Sequence, residues 1–115
     1  MVEQGELVLI PIPFTDLSSQ KRRPVIVVSN DAYHRKTNDM VVVAMTSSPA
    51  AATEYSFTIT SSDLVRGRLN RPGIVRADRV YTLSQSLVVA TFGKVGRATL
   101  DRIRALVQEL LTARR

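Results

Sequence analysis

Between Pro24 and Ser29 the chain carries four β-branched apolar residues in succession, Val25-Ile26-Val27-Val28, with no polar alternation. Successive strand side chains point to opposite faces, so an unbroken apolar run of this length reads as a strand buried on both sides. Whatever fold contains it must cover two faces of one sheet. The neighbouring segments are built on the same short scale. Glu6 to Ile12 is rich in β-formers, with Pro11 and Pro13 marking a strand end or edge, and the polar stretch Phe14 to Arg22 reads as a loop. A loop or short helical turn over Asn30 to Asp39 leads to a third strand from Met40 to Thr46. Glu54 to Thr60 alternates, which places Tyr55, Phe57 and Ile59 on one face. After a basic connection, a period of two over Gly73 to Val80 sets Ile74, Arg76, Asp78 and Val80 against Val75, Ala77 and Arg79. Leu87 to Phe92 completes the strands, ending at the glycine-flanked turn Gly93-Lys94-Val95-Gly96.

The period then changes. Leu100, Ile103, Leu106, Val107, Leu110 and Leu111 follow the spacing of one helical face, so an amphipathic helix packs on the strands. Thr99 is its expected N-cap, Asp101 complements the positive N-terminus, and Arg114 and Arg115 suit the negative end. About six short strands and a terminal helix in 115 residues predict one domain spanning 1–115, mainly β with α, as a small, strongly curved antiparallel sheet or barrel. The longest apolar stretches, such as Val41 to Met45, fall far short of the ~20 residues that span a bilayer. Acids ahead of the first apolar run have the wrong sign for a secretion signal, so a cytoplasmic protein without membrane contact is expected.

Charge narrows the class of partner. Sixteen Lys+Arg against 10 Asp+Glu give a net charge of +6, and 13 of the 16 cations are arginine. The guanidinium fork matches phosphate geometry, so a polyanion is the expected ligand. The absence of cysteine excludes disulfides, Cys-type zinc sites and a thiol nucleophile, while a single histidine excludes a His-pair metal motif. No metal and no cofactor is expected.

Three groupings put polar residues where a strand should be apolar or has just ended: Lys21-Arg22-Arg23-Pro24, Thr46-Ser47-Ser48 and Arg76-Ala77-Asp78. Each has a plainer reading alone, as solvated gatekeepers, a turn and a surface ion pair. His34, among Tyr33, Arg35 and Lys36, reads as exposed, and Arg102 and Arg104 as solubilising residues on the helix. Taken together, the three groupings describe a site able to hold a phosphodiester and move protons without a cofactor. RNA brings its own nucleophile, the 2′-OH.

Gly5 to Asp16 followed by Arg22-Arg23-Pro24-Val25-Ile26-Val27-Val28-Ser29 resembles the opening of PemK/MazF-type toxins of bacterial toxin–antitoxin systems, and Gly73 to Val80 resembles that family's second signature. The resemblance covers essentially the whole chain. It implies an SH3-like β-barrel (PemK/MazF/CcdB-like) that forms a homodimer, with single-stranded RNA across the dimer groove. It further implies a sequence-specific, metal-independent endoribonuclease acting on mRNA through a 2′,3′-cyclic phosphate, inhibited by a cognate antitoxin through which alone DNA would be contacted. By position, Arg23 matches the phosphate-contacting arginine, Thr46 the hydroxyl ending the third strand, and Arg76 and Asp78 the pair that some members use as acid and base. Lys21, Arg22, Ser47 and Arg79 flank these and are expected to contact RNA. In the expected mechanism Asp78 accepts the 2′-OH proton, Arg76 assists the 5′-oxygen leaving group, and Arg23 with Thr46 holds the phosphate. Some members carry a histidine in the first loop, whereas Phe14 to Arg22 has none. The alternative is a non-catalytic basic barrel that binds nucleic acid or a protein target such as a topoisomerase.

Overall fold

A computed structural model describes residues 1–11 and 21–114. Seven strands form one sheet: β1 (Glu6–Pro11), β2 (Arg22–Val27), β3 (Asp39–Thr46), β4 (Ser56–Ile59), β5 (Leu64–Gly67), β6 (Gly73–Ser84) and β7 (Ala90–Val95). Their order across the sheet is β4-β6-β3-β2-β1-β7-β5, and every neighbouring pair is antiparallel. Helix α1 (Asp31–Lys36) joins β2 to β3, and helix α2 (Arg97–Leu111) follows β7. The result is a curled half-barrel closed on one side by α2.

Two-sided burial of the second strand is realised. Ile26 joins Leu7, Val43, Phe57, Val75 and Ile103 in a cluster inside the curl, whereas Val25 and Val27 join Val8, Ile10, Met40 and Val42 on the opposite face. Alternate residues of one short run thus nucleate two cores.

Several expectations need correction. The basic connection contains a strand, β5, held at the edge of the sheet by pairing with β7. Gly93, Lys94 and Val95 belong to β7 instead of a turn, while Leu87 closes a 3-10 turn over Gln85–Leu87. Gly93 is needed for close approach: a Cβ there would lie 3.0 Å from the Arg66 carbonyl oxygen and 3.2 Å from Leu7 Cδ1. Helix α2 begins after Gly96 with no side-chain cap, and Thr99 is buried within it. Of the apolar stripe, Ile103 is buried and Leu100, Leu106 and Val107 are half-buried, but Leu111 is 79% exposed because the last turn projects past the inner cluster. His34 is only 2% exposed, since α1 turns it inward, where Nε2 lies 2.6 Å from Ser29 Oγ.

The helix arginines also do more than solubilise. Arg102 places its guanidinium 4.3 Å from the centroid of the buried Phe57 ring. Arg114 donates to the Tyr55 hydroxyl at 3.3 Å and lies near Glu54 and Glu109, tying the end of α2 to the segment before β4. Arg102→Ala is expected to cost about 0.5–1 kcal/mol in urea unfolding through the lost cation–π contact. Arg104→Ala, whose exposed partner is Asp101, should be close to neutral in the same measurement.

Candidate active site

The β3–β6 ladder contains the feature that builds the site. Val43 pairs with Val80, yet the next β3 residue, Ala44, pairs with Arg76, so one step on β3 spans four on β6. The three extra residues, Ala77, Asp78 and Arg79, form an enlarged bulge. At this point β6 also reaches across to β4: Ser56 pairs with Arg76, and Ala77 N–H donates to the Tyr55 carbonyl. An odd insertion inverts the alternation of the strand. Arg76 therefore shares a face with Arg79, Tyr81 and Leu83, and Arg79 does not oppose Arg76 as a strict period of two predicts.

That face is also the outer face of β2 and β3. Val25 pairs with Ala44, and Arg23 and Thr46 each stand two residues beyond this last recorded pair of the β2–β3 ladder, hence on the same side. Arg23 lies opposite Ile10 of β1. Together these elements line a cavity of about 600 Å³ whose floor is apolar, with Val25, Ala44 and Leu83, and whose cations are Arg23, Arg76 and Arg79. Of the expected residues, Arg23, Thr46, Arg76 and Arg79 line it. Lys21, Arg22 and Ser47 are exposed and are not among the described residues that do. Most of the first loop expected over Phe14 to Arg22 lies outside the described residues.

Asp78 is not among the lining residues and meets the cavity through Arg76. Arg76 Nε donates to Asp78 Oδ1 at 2.9 Å and Arg76 Nη2 to Asp78 Oδ2 at 3.0 Å, a bidentate pair in which both side chains are largely covered. Hydrogen bonding from Arg76 holds the Asp78 carboxyl below the usual carboxylate range, against the opposing effect of burial. The same contact raises Arg76 further above its ordinary value. A depressed folded pKa means that the pair's contribution to stability is complete above the unfolded carboxyl value of about 4 and is lost as pH falls below it. Asp78→Asn is therefore expected to unfold at lower urea than the wild type at pH 7, with the gap closing below about pH 4. A gap independent of pH would mean that the carboxylate's charge is not what the pair contributes.

Thr46 Oγ1 accepts from Ser48 N–H at 3.2 Å, which orients the hydroxyl and leaves its own proton for a ligand. Sequence reasoning missed the contributions of Ile10, Tyr81, Leu83 and Leu87 to the cavity. Arg79, Tyr81 and Leu83 do alternate in the sequence, out of phase with Ile74 and Arg76, and that phase slip is the trace of the bulge. Among the described residues, no group of three or more His, Cys, Asp or Glu gathers to hold a metal.

A small basic half-barrel with an arginine-lined cavity on the outer face of its sheet is the class that fold and site define. Residues 3–111 match the model of the PemK-like, MazF-like toxins of type II toxin–antitoxin systems, and the chain belongs to that family. Among solved structures it is similar to a mycobacterial endoribonuclease in complex with its cognate antitoxin, at 25% identity and a TM-score of 0.75 over 99% of this chain and 100% of that one. A MazE–MazF complex from Deinococcus radiodurans matches at 26% identity and a TM-score of 0.68, over 96% of this chain and 95% of that one. The Mycobacterium tuberculosis toxin MazF-mt6, at 15% identity, shares the fold with a TM-score of 0.69 over 90% and 93% of the two chains. No match was found among curated protein sequences. Among the described residues no helix is long and apolar enough to cross a membrane.

Proposed function

We propose that the chain is an endoribonuclease toxin that cleaves single-stranded RNA at a short recognised sequence. The observation that carries this reading is the convergence of Arg23, Thr46, Arg76 and Arg79 on one cavity in a protein of the MazF-like family. The arginines and the Thr46 hydroxyl hold the scissile phosphate. The substrate's 2′-oxygen attacks phosphorus and the 5′-oxygen leaves, so the products are a 2′,3′-cyclic phosphate and a 5′-hydroxyl. Asp78, ionised throughout the neutral range and tied to the cavity by Arg76, takes the 2′-OH proton through one water on the lone pairs that Arg76 leaves open. Arg76 holds its own protons too tightly to act as a general acid, and instead stabilises charge on the phosphorane and leaving oxygen, which water protonates. The chemistry needs no metal.

The homodimer and the antitoxin follow the same reading. An acidic, partly disordered antitoxin segment would cover the cavity and fold on binding. Incubating the protein with a long mixed-sequence RNA in EDTA tests the proposal. Cuts at one recurring short motif, ending in cyclic phosphate, are expected, and RNA that is bound but left intact would favour the non-catalytic barrel.

A further inference from the structure

The cavity is not the sole concave basic surface beside the Gln85–Leu87 turn. On the turn's other flank lies a cleft of about 600 Å³ lined by Arg35, Lys36, Asn38, Ser84, Gln85 and Ser86, among others. Leu83 and Leu87 face the cleavage cavity, while Ser84, Gln85 and Ser86 between them face this cleft, so the two adjoin across one short turn. Along β3, Arg76 lies opposite Ala44 and Ser84 opposite Asp39, five steps at about 3.4 Å each, so the cleft stands about 17 Å from the Arg76 end of the cavity. A strand of several nucleotides is needed to cover that span.

The chemistry of the cleft suits a phosphate backbone. Arg35 and Lys36 are exposed, and among the described residues neither side chain takes part in an ion pair or hydrogen bond. No carboxylate occurs among its lining residues. Asn38 and the hydrogen-bonded hydroxyls of Ser84 and Ser86 add neutral polar groups opposite the cations. Its frame is rigid. Gln85 Nε2 donates to the carbonyls of His34, Thr37 and Asp39 at 3.1, 3.2 and 3.2 Å, and Gln85 Oε1 accepts from Val2 N–H at 3.0 Å. The buried His34 anchors α1 through Ser29, whose Oγ also accepts from Val41 N–H at 2.8 Å. One clamped amide thus fixes the end of α1 that carries the cations against the turn that borders the cavity.

We propose that this cleft is a second backbone subsite for the same RNA strand, engaging phosphates several nucleotides away from the scissile one. The inference rests on the endoribonuclease reading. It assigns Arg35 and Lys36 to affinity for longer substrates and gives them no part in bond cleavage.

The test uses the full chain and two RNA oligonucleotides carrying the mapped cleavage motif, one of three nucleotides and one of eight, each with 2′-deoxyribose at the cut so that binding is read without cleavage. R35E/K36E should bind the eight-mer on the order of 10-fold more weakly than the wild type and bind the three-mer unchanged. The salt slope for the eight-mer should fall by about 1.4, from two contacts at about 0.7 each for single strands. R35Q/K36Q should show the same pattern to a smaller degree, and matching thermal melts exclude misfolding. Equal affinity of wild type and variant for the eight-mer would overturn the subsite, as would a parallel loss on both oligonucleotides. Loss of affinity for an acidic peptide with RNA binding unchanged would reassign the cleft to a protein partner. The same length-dependent loss in R35E/K36E, on oligonucleotides of arbitrary sequence that the wild type binds but leaves intact in all-ribose form, would keep the subsite and reject the nuclease.

Discussion

Arg76→Ala is expected to lower the cleavage rate of a target RNA by about 100- to 1,000-fold, the range seen when one positioned charge-stabilising donor is removed. The guanidinium has five N–H donors. Asp78 engages the Nε and Nη2 groups, which fixes the plane of the fork and leaves the remaining donors for the phosphate in the cavity. A donor already oriented before substrate arrives needs no reorganisation as negative charge builds. Truncation removes that donor and also strands a largely covered carboxylate, whose pKa should return toward the ordinary range. Arg76→Lys should recover little, because an ammonium cannot hold Asp78 through two parallel bonds and face the phosphate at once. Single-turnover rates with saturating protein separate this loss from weakened binding. Wild-type rates in Arg76→Ala would remove the arginine from the chemistry.

Ile26→Ala should cost about 2–5 kcal/mol, against a total stability of about 5–15 kcal/mol expected for a domain of this kind. Ile26 is fully buried and pairs with Leu7 on β1 and Val43 on β3, so it joins three adjacent strands beneath α2. The sheet on either side fixes the backbone, which restricts collapse into the space left behind. Ile26→Val should cost only about 0.5–1.5 kcal/mol. Urea unfolding of the two variants measures the difference. Near-equal midpoints for Ile26→Ala and the wild type would mean that the two-sided core does not hold the half-barrel together.

The parts of the fold that could be read from the sequence are those written in local period. The run from Val25 to Val28 announced a strand with two covered faces, and the stripe through Leu100, Ile103 and Val107 announced the helix that covers one of them. Features that depend on pairing were hidden. Leu64–Gly67 becomes a strand because β7 lies beside it, and no local pattern marks a four-residue edge strand containing arginine and glycine. Gly93 looked like a turn because glycine usually signals one, whereas here it admits the Arg66 backbone of β5 and the Leu7 side chain of β1.

The site divides along the same line. Arg23, Thr46, Arg76 and Asp78 stand out as candidates because charge and hydroxyl groups interrupt or end apolar strands, and the first three of them line the cavity. That Arg79 joins Arg76 in the cavity was not legible, since it follows from a three-residue bulge set by β3 and β4. His34 is a further case. Its polar neighbours suggested exposure, but a single helical turn can send one residue inward while Tyr33 before it is half-buried and Arg35 after it remains in solvent.

The central claim is that this cavity presents an RNA phosphodiester to its own 2′-hydroxyl. Its most direct test compares two oligonucleotides bearing the mapped motif, identical except for one 2′-deoxyribose on the 5′ side of the cut, each incubated with the protein in EDTA. The all-ribose strand should be cleaved to a 2′,3′-cyclic phosphate, while the substituted strand should bind with the same affinity and stay intact. Cleavage of the substituted strand at the same bond, or survival of the all-ribose strand, would contradict the account.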